Sequence, residues 1–496
     1  MKRLAFAVAM TMAMGCLAAD GALPEGAAAI ASLSFAPYTG AVTNLHVAGR
    51  KGAEYLTFDY MIHAEEGSEI LCRMSMPPPE RWDGRLWGHG HGGYAGDVKD
   101  LPAPKGYARV MCDLGMGRAT GHRTHSPTLM NEAEWKDFGW RGTHLMTVFA
   151  KRFCEAYYGK PPHHSYFTGG STGGGQALHE ATRFPEDYDG VIASVPAQGR
   201  TALEASLFHR HLMLTENGRA LLTTNQLQIV SDAAIEFMKD RDEAYCAGKY
   251  LSDPRECEPF ENAIFDLAAK KDPVFSQPDI RRRLHEIYAG PVVDGRRIHH
   301  GYPFGARITF SPGNFCFANH LLGLKGAPAP KDATWKDFIA FVAARSKDID
   351  AMNPDLRRFA ARGGKILSFV GFEDQTVPFA ASLQHWEDVA ALFGSVDAVR
   401  GFYRMYFLPG AAHGGIGRAT KSLLGYGGDM NERMINWVEK GIPPEDLEMK
   451  THFGDTIKVA PYPEKACRDA DGTWKRKPAL RTIRRAPRFD ETPSVK

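Results

Sequence analysis

The sequence has little net charge and few long apolar stretches, and both absences narrow what the protein can be. Its 60 basic and 58 acidic side chains leave a net charge of +2, which gives no indication of a nucleic acid partner. Beyond the first twenty residues, no apolar run approaches the roughly 20 residues that a membrane-spanning helix needs. The 496 residues, 44% hydrophobic and 24% charged, are typical of a globular protein with one large domain and an insertion, or with two or three small domains.

The first residues are the exception to this lack of apolar runs. Met1, Lys2 and Arg3 precede an apolar run that ends near residue 19 at small residues, before the polar Asp20. This order predicts a signal peptide over residues 1–19 and therefore a secreted or periplasmic protein, with no membrane attachment once the signal is removed. Lipoprotein anchoring at Cys16 is the less favoured alternative, because such signals prefer a bulky aliphatic residue at the position that alanine occupies here.

Export permits disulfides, but the cysteines beyond Cys16 are odd in number. They are Cys72, Cys112, Cys154, Cys246, Cys257, Cys316 and Cys467. Cys72 and Cys112 lie in strand-like runs and are expected to be buried thiols. Cys246 and Cys257 bracket a short polar loop with few apolar side chains to order it, so the sequence predicts a disulfide between them.

Residues 165–178 read as a strand, a sharp turn and a helix, with the pattern Gly-x-Ser-x-Gly centred on Ser171. This pattern predicts a nucleophile elbow, in which the serine adopts a strained conformation and the flanking glycines let strand and helix pass closely. A chain with 51 glycines also produces such a pentapeptide by chance. The interpretation therefore depends on what surrounds it.

A short strand upstream of the elbow runs into a glycine-rich loop over residues 88–93. In α/β-hydrolases such a loop supplies one amide of the oxyanion hole, and the residue after the nucleophile supplies the other. We therefore predict an oxyanion hole formed by Thr172 together with Gly92 or Gly93. The alternatives are a flexible loop, or incidental metal affinity of His89 and His91.

Strand and helix patterns alternate along both ends of the chain and stop in its middle. Residues 40–76 read as antiparallel strands, 106–112 as a buried strand and 134–158 as an amphipathic helix. A strand at 190–194 follows the elbow. The alternation of strands and helices stops over 196–354, and strand patterns return at 365–372 and 402–407. This alternation predicts a mostly parallel sheet with helices on both faces.

An acid and a histidine follow the two returning strands. Asp374 comes just after the first and His413 just after the second, which gives the chain order Ser, Asp, His of the α/β-hydrolase triad. We therefore predict an α/β-hydrolase fold with a catalytic domain formed by residues 20–195 and 355–496. Residues 196–354 are predicted to form a lid inserted between nucleophile and acid. Glu373 is an alternative acid.

These stretches together resemble the tannase and feruloyl esterase family of α/β-hydrolases, which includes mono(2-hydroxyethyl) terephthalate hydrolase. The resemblance implies Ser171 as nucleophile, Asp374 rather than Glu373 as acid, and His413 as base. It also implies a serine carboxylic ester hydrolase acting on feruloyl, hydroxycinnamoyl or galloyl esters, either small molecules or esters linked to plant polysaccharide. The matching residues are 82–85, 92–96, 138–144, 166–176, 184–190, 287–291, 371–378, 409–413 and 437–441.

The sequence departs from the family in two respects. The family usually has a disulfide between cysteines beside the catalytic serine and histidine, and Gly170 and Ala412 stand at those positions. The family's lid usually carries an aspartate-rich calcium loop between two cysteines, of which only Asp253 remains here. One carboxylate is too few for calcium, which takes about six to eight oxygen ligands. We therefore expect no metal and no other cofactor.

Three questions stay open at the level of sequence. The protein could be a hydrolase of another ester or amide class, or a non-catalytic binding protein that keeps the lid. Lid aromatic residues are candidates for stacking on an aromatic acid, although a lid core would also use them: Phe208, Tyr288, Tyr302, Phe304 and Phe315. The basic C-terminal segment is expected to be a solvated tail, with a polyanion site as the alternative: Lys475, Arg476, Lys477, Arg481, Arg484, Arg485 and Arg488.

Overall fold

A nine-stranded mixed sheet organises the protein in a computed structural model of the chain. The structure describes residues 23–103, 106–117, 130–217, 219–243, 246–308, 334–415, 417–419, 427–469 and 471–488. The predicted signal peptide, Cys16, Phe315 and Cys316 lie outside these residues. Within the described part, no helix combines the length and apolarity needed to cross a membrane.

The first four strands in sheet order are antiparallel, and the rest of the sheet is parallel. The order is β1-β2-β3-β5-β4-β6-β7-β12-β13, and parallel pairing begins between β5 and β4. This arrangement confirms the antiparallel start and the parallel remainder that the sequence predicted. The nine strands are β1 Thr39–Ala48, β2 Tyr55–His63, β3 Ile70–Met76, β4 Arg85–His89, β5 Ala108–Cys112, β6 His164–Gly170, β7 Gly190–Ser194, β12 Lys365–Gly371 and β13 Tyr403–Leu408.

In the described part of the chain, four small antiparallel hairpins lie outside the main sheet. Two of them fall between β7 and β12, and two follow β13. Their strands are β8 Thr215–Glu216, β9 Arg219–Ala220, β10 Val292–Val293, β11 Arg296–Arg297, β14 Leu447–Lys450, β15 Thr456–Val459, β16 Glu464–Arg468 and β17 Trp474–Pro478.

Helices connect the parallel strands and fill the insertion. The described helices are α1 Ala27–Ala31, α2 Glu132–Lys136, α3 Gly142–Tyr158, α4 Thr172–Arg183, α5 Arg200–Leu214, α6 Thr224–Met238, α7 Glu261–Lys271, α8 Pro278–Ala289, α9 Trp335–Ile349, α10 Arg357–Ala361, α11 Ala380–Phe393, α12 Val396–Arg400 and α13 Gly427–Lys440. The predicted helix over 134–158 is divided into α2 and α3 by a π-helical turn at Asp137–Arg141. A salt bridge between these two residues spans the turn.

Both faces of the central sheet are buried, because successive residues of its strands enter different cores. Phe167 of β6 and Val191 of β7 join the largest hydrophobic cluster, whereas their neighbours Tyr166 and Ile192 join a second cluster on the other face. A parallel sheet covered on both faces needs such continuously apolar strands. The carboxyl ends of these strands are therefore held in place by packing on both faces of the sheet.

The insertion between β7 and β12 has a core of its own. This third cluster is drawn from residues 214–308 and includes Leu227, Phe265 and Leu284. The two ends of the insertion pack differently, because Phe208 of α5 and Phe338 of α9 belong to the main cluster of the sheet. Their rings meet edge to face at 4.7 Å. The insertion is thus anchored to the sheet body by its first and last helices.

The predicted disulfide between Cys246 and Cys257 is wrong in the structure. Both side chains are buried and they are not joined to each other: Cys246 packs in the second cluster, and Cys257 in the core of the insertion. The loop between them is ordered by polar contacts instead. Its Ser252 amide donates to Asp242 at 2.8 Å, and Lys249 pairs with Asp455 at 2.7 Å.

The basic C-terminal segment is not a solvated tail. It folds back over the molecule and bridges the sheet body and the insertion. Arg481 pairs with Glu387 of α11 at 2.6 Å, whereas Arg484 pairs with Glu258 of the insertion at 3.1 Å. Arg255 of the insertion also donates to the backbone carbonyl of residue 480 at 2.7 Å. We call residues 479–488 the C-terminal strap.

Candidate active site

Ser171, His413 and Asp374 meet at the carboxyl ends of three parallel strands. Ser171 follows β6, Asp374 follows β12 and His413 follows β13. His413 Nε2 lies 3.1 Å from Ser171 Oγ, and His413 Nδ1 lies 2.8 Å from Asp374 Oδ2. The structure thus brings together all three residues predicted for the triad, in the order of hydrogen bonds that a serine nucleophile, a base and an orienting acid require.

The turn at Ser171 has the strained geometry of a nucleophile elbow. Its φ of 59° and ψ of −117° place an L-residue in a sparsely populated region. The flanking glycines are needed because a Cβ on Gly169 would lie 2.4 Å from the backbone oxygen of Gly173. Ser171 therefore projects from a tight turn that larger residues at the flanking glycine positions would prevent.

Contacts of one carboxylate oxygen of Asp374 orient the other oxygen toward His413. Asp374 is fully buried, and its Oδ1 accepts from the amides of Thr376 and Val377 at 2.8 and 2.7 Å. Its Oδ2 is thereby directed at His413. Burial lowers the pKa of His413, but the charge and hydrogen bond of Asp374 outweigh it, so the pKa lies above the ordinary 6.5. Asp374 thus favours the protonated form of the His413 imidazole.

Glu373, the alternative acid, points elsewhere. It is completely buried, and Arg418 lies 3.9 Å from its carboxyl group. Burial raises the pKa of Glu373 to about 7. Among the described contacts, the Glu373 carboxyl group does not contact His413, whereas the Asp374 carboxylate does. The hydrogen-bond geometry therefore favours Asp374 as the acid.

Gly170 and Ala412 stand next to Ser171 and His413, and hydrogen bonds connect the loop that carries Asp374 to the loop that carries His413. Glu373 donates its amide to the Ala411 carbonyl at 2.9 Å, and the His413 amide donates to the Gln375 side chain at 3.2 Å. These contacts connect the acid loop to the base loop. They hold Asp374 and His413 next to each other at the ends of the paired strands β12 and β13.

The predicted oxyanion loop is held against the start of α4 by a ring of hydrogen bonds. The Thr172 hydroxyl donates to the Gly93 carbonyl. It accepts from Arg200 Nη1 at 2.7 Å, and Arg200 Nε donates to Glu204 at 2.8 Å. Tyr94, which follows Gly93, closes the ring by donating its hydroxyl to the same Glu204 oxygen at 2.8 Å.

The direction of these bonds is fixed because arginine has donors only. Arg200 must donate to Thr172 Oγ1, so the threonine proton is available for the Gly93 carbonyl. The ring therefore fixes the peptide units of the Gly92-Gly93 turn relative to the Thr172 amide. Oxyanion stabilisation depends on such preorganised donors.

We expect Thr172→Val to lower kcat about 10- to 100-fold, because misplacement of a reacting group by about 1 Å has effects of this size. Valine matches threonine in shape and keeps the backbone amide, but it cannot hold the Gly93 carbonyl. Steady-state kinetics on a p-nitrophenyl ester should show the loss in kcat with little change in KM.

Thr172→Ser is the matched control, since it keeps the hydroxyl and should retain most of the activity. Equal kcat values for the valine and serine variants would contradict a positioning role for this hydroxyl.

The two histidines of the glycine-rich loop have separate partners. His89 accepts from Arg109 at 3.0 Å, whereas His91 Nε2 lies 2.6 Å from Asp97. The His91 amide donates to Gln176 of α4 at 2.9 Å. These contacts fix the loop to its surroundings and do not direct both imidazoles at one point, as a metal site would require.

The lid aromatics proposed for stacking are buried where the structure describes them. Phe208, Tyr288, Tyr302 and Phe304 are each at most 5% exposed. Tyr288 and Phe304 stack on each other at 4.2 Å. Tyr288, Tyr302 and Phe304 belong to the core of the insertion, as the alternative expected, whereas Phe208 belongs to the main cluster of the sheet.

Arg200 and Glu204 were missed by reading the sequence. Four residues apart on one helix, they look like an ordinary surface ion pair. Their burial, at 6% and 1% exposure, is what distinguishes them. A basic and an acidic residue just after the chain leaves β7 near the elbow could have suggested a role, but nothing in the sequence indicates that they contact Thr172.

Comparison with known proteins assigns the family. The model of the family described as "Tannase and feruloyl esterase" matches residues 58–334 and 332–479. A probable feruloyl esterase B-2 of Aspergillus flavus is 25% identical over 500 residues, covering 92% of each chain. An uncharacterized esterase of Xanthomonas campestris is 28% identical over 427 residues, covering 73% of this chain and 72% of its own.

A solved structure shows the same fold. Feruloyl esterase B from Aspergillus oryzae superposes with a TM-score of 0.73 at 21% identity, covering 90% of this chain and 98% of that one. This likeness confirms the predicted α/β-hydrolase fold. Because the family model spans most of the sequence, the resemblance predicted from the motifs is also confirmed. The chain belongs to the tannase and feruloyl esterase family and is a carboxylic ester hydrolase.

Proposed function

We propose that the protein is a secreted serine esterase that hydrolyses esters of aromatic acids of the hydroxycinnamoyl or galloyl type. The observation that carries the chemical part is the pair of hydrogen bonds linking Ser171, His413 and Asp374. The substrate part is supported by the feruloyl esterase names of the relatives. Free small esters and aromatic esters on plant polysaccharide are the expected substrates.

The reaction would proceed in two halves. Ser171 Oγ attacks the ester carbonyl while His413 Nε2 takes its proton, and the resulting oxyanion is held by the Thr172 amide and an amide of Gly92 or Gly93. The imidazolium then gives the proton to the departing alcohol, which leaves an acyl-enzyme. Water, deprotonated by His413, releases the acid and restores the serine. Every step uses side chains and amides of the chain itself.

Residues 196–354 are proposed to act as the lid, with residues 20–195 and 355–496 as the catalytic domain. The separate core of the insertion supports this division. The first and last helices of this segment, α5 and α9, also contribute residues to the main cluster of the sheet, so they contact both parts of the proposed division. Residues 1–19 are proposed to be a cleaved signal peptide, on the order of charges and apolar residues described above.

A panel of esters tests the proposal. Methyl ferulate, methyl gallate, a short p-nitrophenyl ester and a p-nitroanilide should be compared, with a fluorophosphonate probe for the serine. We expect turnover of methyl ferulate, methyl gallate or both, and labelling at Ser171. Turnover of the anilide alone would assign another hydrolase class, and absence of both labelling and turnover would leave only a binding protein.

A further inference from the structure

One buried arginine of the insertion donates to the loop that carries the triad acid. Arg210 lies in the second half of α5 and is 5% exposed. Its Nη1 donates to the backbone carbonyl of Gln375 at 2.9 Å, and Gln375 is the residue after Asp374. This hydrogen bond therefore joins the first helix of the insertion directly to the loop of the acid.

A second contact holds the guanidinium group of Arg210. It lies 4.7 Å from the centroid of the Tyr302 ring, which is buried in the core of the insertion, and the face of an aromatic ring attracts a cation. Buried arginines ordinarily pair with a carboxylate. Arg210 forms no ion pair within the described residues, so the carbonyl of Gln375 is its described hydrogen-bond partner.

The peptide unit that accepts from Arg210 is the same unit that donates to the acid. The Gln375 carbonyl and the Thr376 amide belong to one planar trans peptide, so they point in opposite directions. The Thr376 amide donates to Asp374 Oδ1 at 2.8 Å. A rotation of this peptide unit that breaks one of the two hydrogen bonds therefore also disturbs the other.

Both ends of this arrangement reach the base. Asp374 Oδ2 lies 2.8 Å from His413 Nδ1, and the His413 amide donates to the Gln375 side chain at 3.2 Å. Gln375 thus accepts from Arg210 through its carbonyl and from His413 through its side chain. Hydrogen bonds in such a chain also polarise and strengthen one another.

We propose that Arg210 is a positioning residue for the triad: from the insertion, it fixes the peptide unit that directs Asp374 at His413. Arg210 acts through the backbone of the acid loop and needs no contact with the substrate. The insertion thereby contributes to the orientation of an acid that belongs to the sheet. The inference rests on the proposed function, because it assigns Arg210 a part in the same esterase reaction.

Arg210→Met removes the donor and keeps a long side chain. We expect kcat for a p-nitrophenyl ester to fall about 10- to 100-fold with little change in KM, the effect of misplacing a reacting group by about 1 Å. Arg210→Lys keeps a cationic donor, so it should retain more of kcat. Arg281→Met is the matched control, because this insertion arginine also donates to a backbone carbonyl, that of Phe275 at 2.7 Å. Its kcat should stay within a few-fold of the original.

A double-mutant cycle with Asp374→Ala separates positioning from other roles. Without the acid there is nothing for Arg210 to position, so adding Arg210→Met to Asp374→Ala should lower the residual kcat little further. An arginine that binds the substrate or only stabilises the fold would have the same effect in both backgrounds. Thermal unfolding checks each variant. If Arg210→Met does not fold, Arg210→Lys takes its place in the cycle, with a smaller loss that should likewise disappear in Asp374→Ala.

Proton NMR gives a measurement that does not depend on turnover. The proton on His413 Nδ1 lies in the hydrogen bond to Asp374, and its resonance can be identified by its loss in His413→Gln. We expect this resonance to move upfield, or to broaden through faster exchange with water, in Arg210→Met. It should keep its position in Arg281→Met.

Three results would overturn the proposal. One is an Arg210→Met protein with unchanged kcat and an unchanged His413 resonance. Another is an equal loss of kcat from Arg210→Met with and without Asp374. The third is a rise in KM at unchanged kcat, which would make Arg210 a substrate-binding residue. The proposed function fails separately, if the unmodified protein hydrolyses no ester, and the NMR comparison then still decides whether Arg210 orients Asp374 and His413.

Discussion

Ser171→Ala is expected to lower turnover of any ester substrate by about a millionfold, the scale seen when a serine hydrolase loses its nucleophile. Alanine keeps the Cβ and the backbone of the elbow, so the oxyanion donors and the pocket remain. What is removed is the acyl-enzyme route. Stopped assays at high protein concentration, with mass spectrometry for an acylated species, would measure the loss.

Ser165→Ala is the matched control for this substitution. Ser165 is a buried serine near the beginning of the same strand, far from the elbow. Its replacement should leave turnover within a few-fold of the original. A Ser171→Ala protein that keeps more than about a thousandth of the activity would show that another group is the nucleophile, provided that contaminating esterase has been excluded by the fluorophosphonate probe.

Asp374→Asn should lower kcat by about ten-thousandfold, on the precedent of the triad acid in serine proteases. The structure gives the reason. Two backbone amides donate to Oδ1, so an asparagine would keep its oxygen there and turn its NH₂ group toward His413. A donor facing Nδ1 forces the imidazole proton onto Nε2. The protonated Nε2 can then no longer accept the proton of Ser171.

Glu373→Gln separates the two adjacent acids. It removes an equally buried carboxyl group that does not contact His413, so we expect activity within a few-fold of the original. Loss of activity in Glu373→Gln with retention in Asp374→Asn would reverse the assignment of the acid.

The pH profile adds a second measurement to the same pair of variants. Catalysis needs neutral His413, so kcat/KM should rise with pH through a pKa above 6.5. In Asp374→Asn the raising effect is lost while burial remains, so the acid limb of the residual activity should move to lower pH. In Glu373→Gln it should stay in place.

The sequence could identify the three residues proposed as the triad because each of them follows a recognisable strand in a known order. Ser171 is marked by flanking glycines that the tight turn requires, and Asp374 and His413 by runs of buried strand residues. Such patterns are local and can be read without knowing what lies opposite. The fold class follows from the same alternation of elements.

The features that the sequence did not predict correctly depend on contacts with residues outside the segment concerned. The Cys246 to Cys257 prediction failed because Asp242 and Asp455 order the loop, and both lie outside it. The sequence predicts a solvated tail because the acidic partners of Arg484 and Arg481, Glu258 and Glu387, are more than 90 residues away from them in the chain. A charge run shows its own sign but not its counterions, which only the fold brings together.

The C-terminal strap also affects when the molecule can be completed during synthesis. Residues 479–488 are made after every strand of the main sheet, yet they supply partners for both the sheet body and the insertion. A nascent chain that has finished β13 can assemble the sheet, but its insertion still lacks Arg484 and the backbone carbonyls near residue 480. The contacts between the strap and the insertion are thus expected to form only after the sheet has assembled.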